Sequence, residues 1–339
     1  MVELTEQFPN HISEHIIVGK ESFCHFRSIQ GAVDFLERYT ADAIQTLYIL
    51  SGVYEENVLI YRSHLRIIGL GYVEISGRRY AQELDERGER IETFGTPTLF
   101  LGGSDLIVEN IVVSNTAGQG PEIGQAVAVY AHCDLAVFRN CSFKAHQDTL
   151  FTGPLPPAPR ERAEFGGILL RERHVHYRQL YENCYIEGTV DFIFGGATAY
   201  FDACELRSLR HYDNQAGYIT AASTPQEQEH GYVFHRCFLT AAPGVADVYL
   251  GRPWREYAKT VYVDCIMGDH IHPLGWDNWN DPANETSVRY GEYGVCHAKA
   301  LRLQRVPWVD IFETLPESLQ KERVFAGTDF WKRKEGQSL

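Results

Sequence analysis

The sequence predicts an all-β chain wound as a parallel β-solenoid, one domain over residues 1–339, with a short N-terminal capping helix and a C-terminal helical and loop tail. Two observations lead there. A short motif with one apolar or aromatic end recurs along most of the chain. The intervals between its copies fit a unit of about 20 or more residues with variable insertions, the longest falling to the shortest once one proline-rich segment is set aside.

Ser28-Ile29-Gln30-Gly31-Ala32-Val33-Asp34-Phe35-Leu36 has a serine cap followed by apolar residues at helical spacing, so a short helix is expected to end near Tyr39. After it come short β-type runs split by Gly and Asn, such as Leu47–Leu50, Leu65–Ile68 and Leu106–Val108. The repeat then emerges. It reads Val108-Glu109-Asn110-Ile111, Phe138-Arg139-Asn140-Cys141 and Tyr181-Glu182-Asn183-Cys184, with looser copies ending at Cys204, Cys237 and Cys265. Successive intervals from Ile111 are 30, 43, 20, 33 and 28 residues. The longest contains Pro154–His176, a 23-residue stretch with Pro-Leu-Pro-Pro-Ala-Pro and then a charged run, which reads as a loop. Without it that interval is 20, equal to the next, so the insertion interrupts a coil without adding one. Beyond Trp276 the pattern loosens: Ala298–Trp308 continues strand-like, and Ile311–Trp331 reads as helix and tail packing back on the solenoid.

Composition narrows the partners. The formal charge is −14, which argues against a nucleic-acid partner and gives no general attraction to an acidic polymer, so any such substrate must be held locally. No stretch approaches 18 consecutive apolar residues, so no membrane span is expected. Residues 1–19 lack a basic-then-apolar signal pattern, and the eight cysteines form no CxxC pair. Reduced thiols in a cytoplasmic, monomeric protein are the simplest expectation; a secreted protein whose signal lies outside the sequence would look the same. The cysteines are expected to form a buried ladder, and a Cys184–Cys204 disulfide between adjacent coils is geometrically plausible. His174/His176 and His270/His272 form His-x-His pairs without further spaced ligands, so no metal site is expected. Glu83–Glu92 reads as a solvated loop, and Tyr54 and Glu56 as structural.

The same spacing groups the acids. Asp148 to Asp191 is one coil once the insertion is removed, and Gln125 to Gln147 is another. Matching positions on stacked coils lie about 4.8 Å apart, which gathers Gln125, Gln147, Asp148 and Asp191 into one patch. Two carboxylates that close do not both ionise freely. Arg252 would hold Asp191 as the anion, leaving Asp148 as the proton carrier, and the glutamine amides suit an oxyanion hole. That set fits acyl-ester cleavage through a covalent intermediate.

Gly52-Val53-Tyr54-Glu55-Glu56, Gln125-Ala126-Val127-Ala128, Gln147-Asp148-Thr149-Leu150, Gly188-Thr189-Val190-Asp191-Phe192-Ile193-Phe194-Gly195 and Leu250-Gly251-Arg252-Pro253-Trp254 resemble, in order, the signature blocks of the pectin methylesterases. The resemblance runs from about Phe26 to Trp308. It implies a right-handed parallel β-helix that removes methyl esters from polygalacturonate or its oligosaccharides, releasing methanol, with no metal or organic cofactor. It also implies the roles: Asp191 as nucleophile, Asp148 as acid and then base, Gln125 and Gln147 at the oxyanion, Arg252 orienting Asp191. Trp254, Phe194, Phe151 and Val190 are the expected substrate contacts. The departure is the insertion after Leu150, where typical members pass almost directly into the next coil. A long loop there would roof the cleft and favour short oligomers or chain ends. Alternatives stay open: a lyase on the same scaffold, an acyl thioesterase, or a non-catalytic polysaccharide-binding β-helix.

Overall fold

The protein, a computed structural model, is described over residues 15–38, 44–160, 164–297 and 304–332. Its named strands pair only in parallel, in an 18-stranded sheet and a seven-stranded sheet. The central coils contribute to both, as in a parallel β-helix, while the strands at His15–Val18 and beyond Arg289 belong to the larger sheet alone.

The recurring motif is the corner of each coil. Val112, Ser142, Tyr185, Glu205, Phe238, Ile266 and Cys296 lie in register along the larger sheet, so Ile111 and the cysteines just before them stack rung on rung. The residue before each is left-handed: Asn110, Asn140, Asn183, Ala203, Arg236 and Asp264 have φ between 51° and 58°. Asparagine and aspartate tolerate that region better than other side-chain-bearing residues, which explains the Asn-Cys signature. The aromatic that opens the motif points inward. Phe138, Tyr181, Phe201, Phe234 and Tyr262 stack with ring centroids 4.5–4.7 Å apart.

Ser28 caps the Ile29–Glu37 helix by accepting from the Gly31 amide. Glu56 adds a second cap, its two carboxylate oxygens taking the Ile29 and Gln30 amides at 3.0 and 2.9 Å, which joins the helix to the first coil. At the other end the expectation needs correcting. Ala298–Leu303 lie outside the described residues, and Gln304–Trp308 form no strand, the next being Asp310–Ile311. The tail beyond is mostly turn, with one short helix at Lys321–Val324, and it packs Leu319, Val324, Phe325, Phe330 and Trp331 onto the outer face of the larger sheet. Among the described residues no helix is long and apolar enough to cross a membrane.

The cysteines are free, including Cys184 and Cys204. The disulfide that the spacing permits is not made: each of those thiols donates to a neighbouring carbonyl, Cys184 to Phe138 O at 3.5 Å and Cys204 to Tyr181 O at 3.4 Å.

Between Thr152 and Arg178 the chain makes no described strand or helix. The insertion lies along the outer face of the smaller sheet. Its far points are Ala158, whose carbonyl accepts from Arg255, and Arg171, which pairs with Glu37 and covers the Tyr61 ring at 3.6 Å. Between them the Ile168 amide donates to Phe94 O, and Phe165, Ile168 and Leu170 pack on the sheet.

Candidate active site

The smaller sheet presents one outward residue per rung at matching height: Phe100, Tyr130, Phe151, Phe194, Ala221 and Arg252. Asp148 and Asp191 each stand two residues before their strand's first paired residue, Leu150 and Ile193, which are register partners. The Asp148 amide donates to the Val190 carbonyl at 3.1 Å, locking the two turns together. Both aspartates are left-handed, at φ 66° and 50°. The structural corners share that strain, so it marks the turn rather than the chemistry. Gly195 closes the second turn at φ 121°, where a Cβ would sit 2.0 Å from the Thr152 oxygen.

The two acids are treated differently. Arg252 grips Asp191 with both prongs, Nε to Oδ1 at 2.9 Å and Nη2 to Oδ2 at 2.7 Å. Its guanidinium is in turn held between the rings of Tyr218 and Trp279, at 3.8 and 3.9 Å. Asp148 accepts no hydrogen bond from a described residue, although it is only 8% exposed. Burial pushes its carboxyl well above the usual range, nearby Asp191 pushes further, and Arg252 opposes. Burial also raises Asp191, with the Arg252 contact pulling back and Asp277 adding repulsion. Both shifts run upward, the larger at Asp148, and only Asp191 has a guanidinium in direct contact to oppose its shift.

Gln125 and Gln147 sit on adjacent coils, joined by the Ala126 amide to the Gln147 carbonyl at 3.2 Å. Both are half-buried, and neither side-chain amide bonds to another described residue. Such donors are free for an incoming oxygen.

The expected sugar contacts need revision. Phe151 and Phe194 are 0% and 3% exposed. They form a closed cluster with Phe94 and Tyr130, and Phe165 of the insertion lies edge-on to Phe94 and Trp254 at 5.4 and 6.1 Å. The insertion covers the rings a substrate would need. Trp254 and Val190 remain half-buried at the rim. Sequence reasoning missed Tyr218 and Trp279, the ring pair around Arg252. Tyr218 was within reach, since its strand precedes that of Arg252, but Trp279 lies where the repeat has faded. Among the described residues no group of three or more metal-ligating side chains converges.

The Pectinesterase family profile matches residues 15–155 and 173–332 and leaves 156–172, the middle of the insertion, unmatched. The chain is 33% identical over 312 residues to the probable pectinesterase/pectinesterase inhibitor 6 of Arabidopsis thaliana, covering 90% of this chain and 50% of that one. It is 31% identical over 304 residues to pectinesterase 2 of Citrus sinensis, covering 87% and 53%. The chain thus spans about half the length of the curated relatives it matches. Among solved structures it resembles pectin methylesterase from carrot, with a TM-score of 0.77 at 27% identity over 92% of this chain and 93% of that one. It also resembles that of Aspergillus niger, with a TM-score of 0.71 at 28% identity over 91% and 94%. The architecture is accordingly the right-handed parallel β-helix. These relatives are named for pectin, a polymer of the plant wall outside the cell, which overturns the cytoplasmic placement. On the profile match and this kinship, the chain belongs to the pectinesterase family.

Proposed function

We propose that this chain hydrolyses the methyl esters of galacturonate chains. One observation carries the reading: of two acids one coil apart, one is gripped by an arginine and the other is buried with no partner, beside two unengaged glutamine amides. The Asp191 carboxylate attacks the ester carbonyl, and the oxygen that becomes negative takes hydrogen bonds from Gln125 and Gln147. As the tetrahedral intermediate collapses, the bond to the methoxy oxygen breaks and Asp148 gives that oxygen its proton, so methanol leaves. The anhydride joining substrate and Asp191 is then attacked by water, whose proton Asp148 takes back. Galacturonate carboxylate departs and Asp191 is restored. Arg252 keeps Asp191 anionic and aimed throughout.

The insertion supports a finer statement. By roofing the aromatic face it favours short oligomers or chain ends over internal positions of long pectin.

The test is methanol release from methylated pectin and from methylated oligogalacturonides. Asp191→Asn should lower it by roughly 10⁴-fold or more, as loss of a covalent nucleophile does elsewhere. An Asp191→Asn protein that still turns over within tenfold of wild type would end the proposal. A lyase would instead give ultraviolet-absorbing unsaturated ends, and a thioesterase would prefer acyl-thioesters.

A further inference from the structure

The register position that carries the acids continues beyond them. Asp148 and Asp191 each stand two residues before Leu150 and Ile193, and Ile193 is the partner of Thr220 on the next coil. Two residues before Thr220 is Tyr218, whose own partner is Tyr249. Val248 bridges to Ile271, which sets His272 level with Tyr249 on the coil after. One column thus runs Asp148, Asp191, Tyr218, Tyr249, His272: two acids and then three rings. The rings stack. Tyr218 and Tyr249 have centroids 5.4 Å apart and planes 12° apart, and Tyr249 and His272 are at 4.4 Å and 21°. The last ring is tied to backbone, its amide donating to Val248 O at 2.9 Å and its Nδ1 accepting from the Leu274 amide at 3.2 Å.

Arg252 has to cross this column. It pairs in register with Ala221, and Ala221 with Phe194, so one whole coil separates its strand from that of Asp191. The side chain spans that gap over the Tyr218 ring, 3.8 Å from its centroid. A long, freely rotating arginine loses its aim unless the surface under it is fixed. The other flanking ring, Trp279, comes from a turn, whereas Tyr218 is backed by the stack. Tyr249 is half-buried, and its hydroxyl makes no hydrogen bond to a described residue, so what this side chain supplies is its ring. We propose that Tyr249, with His272 behind it, is a positioning residue: it holds Tyr218 against the Arg252 guanidinium and so keeps the arginine fork on Asp191. Tyr249 acts through Tyr218 and Arg252. The kinetic consequence rests on the esterase reading; the contact itself does not.

The experiment measures kcat and KM for methanol release from methylated trigalacturonate between pH 4 and 8, in wild type, Tyr249→Leu, Tyr249→Phe and His272→Leu. Tyr249→Leu should lower kcat about tenfold and leave KM within about twofold, the scale for a catalytic group displaced by a fraction of an ångström. Arg252 favours the Asp191 anion, so a looser fork lets that carboxyl hold its proton to higher pH. The acidic limb of kcat/KM should accordingly move up by about 0.5 pH unit, a shift that a packing role alone would not produce. Tyr249→Phe keeps the ring and should restore both readouts, and His272→Leu should show the same changes at about twofold in kcat. Independently of turnover, the Arg252 Nε–H that donates to Asp191 can be followed by nitrogen-15 NMR and identified by its loss in Arg252→Lys. It should exchange with water about tenfold faster in Tyr249→Leu than in wild type or Tyr249→Phe. A folded Tyr249→Leu protein with unchanged exchange and an unmoved acidic limb overturns the proposal, as does a Tyr249→Phe protein as impaired as Tyr249→Leu. Should Tyr249→Leu not fold, His272→Leu decides on the same two readouts, and wild-type values there overturn it. If no substrate yields methanol while exchange behaves as stated, the esterase reading fails and the positioning contact stands.

Discussion

Both outer faces of the solenoid are covered by chain that is not solenoid, and the two covers treat buried acids in opposite ways. The C-terminal tail lies on the larger sheet and brings cations with it. Its Lys321 donates to Asp202 at 2.9 Å and Glu182 at 3.2 Å, while Arg236 and His235 reach Asp202 from within the solenoid. The insertion lies on the smaller sheet and brings apolar side chains: Phe165, Ile168 and Leu170 pack on the aromatic cluster around Phe94, Phe151 and Phe194, and among the described residues nothing bonds to the Asp148 carboxyl. Asp202 and Asp148 are both 8% exposed. Burial works against charge at each, but hydrogen bonds from His235, Arg236 and Lys321, with the Lys321 charge, outweigh it at Asp202 and hold that carboxyl below the ordinary range, whereas Asp148 is driven far above it. Equal burial, then, does not make equal acids. A buried carboxyl that gains cationic and hydrogen-bonding partners is held below its ordinary range, and one buried without a bonded partner is pushed above it.

The largest effects should separate these two positions. Asp148→Asn should cut methanol release by roughly 10²–10⁴-fold, the range for a general acid and base. It should also stabilise the protein at pH 7 by about 0.5–2 kcal/mol, because an unpaired buried carboxyl is replaced by a neutral amide. The sign follows from the raised pKa: the native state holds the Asp148 proton more tightly than the unfolded chain, so wild type loses stability as pH rises above the ordinary carboxylate value of about 3.9. Below that pH the gain from the mutation should vanish. Asp202→Asn should do the reverse, keeping activity and losing about 1–3 kcal/mol, nearer the low end because Arg236 is largely exposed and Lys321 retains Glu182. Its depressed pKa means the contribution is complete above pH 4 and is lost as pH falls through the native value. Denaturant melts of both variants from pH 3 to 8 are the measurement. Parallel pH profiles for the two would dissolve the contrast.

The insertion offers a smaller effect on the same comparison. Replacing residues 156–172 with a short Gly-Ser link uncovers Phe94, Phe151 and Phe194, and Phe165→Ala opens the roof at one point. If the cover sets chain length, turnover of long pectin relative to a methylated trimer should rise about tenfold in the first, equivalent to roughly 1.4 kcal/mol, and less in the second. An unchanged ratio in both would reduce the insertion to packing. Trimming the tail at the other face should leave this ratio alone.

The solenoid was legible because its physics repeats. A left-handed corner wants Asn, the rung after it wants a small buried Cys, and the spacing of both survives in one dimension. The same arithmetic placed Asp148 and Asp191 on neighbouring turns, and the apolar residues around them announced burial. What the insertion would touch was not legible. Phe151 and Phe194 stand in the family's pattern, but they are buried in a cluster with Phe94, onto which Phe165 packs from a segment with no periodicity to read. The clamp on Arg252 was hidden for a related reason: Trp279 is itself left-handed, at φ 60°, in a turn after the repeat has faded, so no interval points to it. Stacked contacts are visible in sequence, and contacts made by excursions from the stack are not.

The cysteine ladder gives the smallest expected effect, and it tests whether the stack needs covalent help. Along the interior corner each thiol reaches back to the rung before it: Cys141 to Val108 O, Cys184 to Phe138 O, Cys204 to Tyr181 O, Cys237 to Phe201 O and Cys265 to Phe234 O, at 3.4–3.5 Å. A bond between two of them would pull both sulfurs off these carbonyls and leave two buried acceptors less satisfied. The five thiols of the ladder are also buried, which shields them from oxidants and alkylating reagents while the protein is folded. Melting with and without a strong reductant should therefore agree within about 1 °C, whereas reducing a structural disulfide would remove roughly 2–4 kcal/mol and shift the midpoint by several degrees. Exposed Cys296 should be the thiol that alkylates first under native conditions, with the ladder reacting only after unfolding. A midpoint that drops on reduction would mean the rungs are bolted rather than merely stacked.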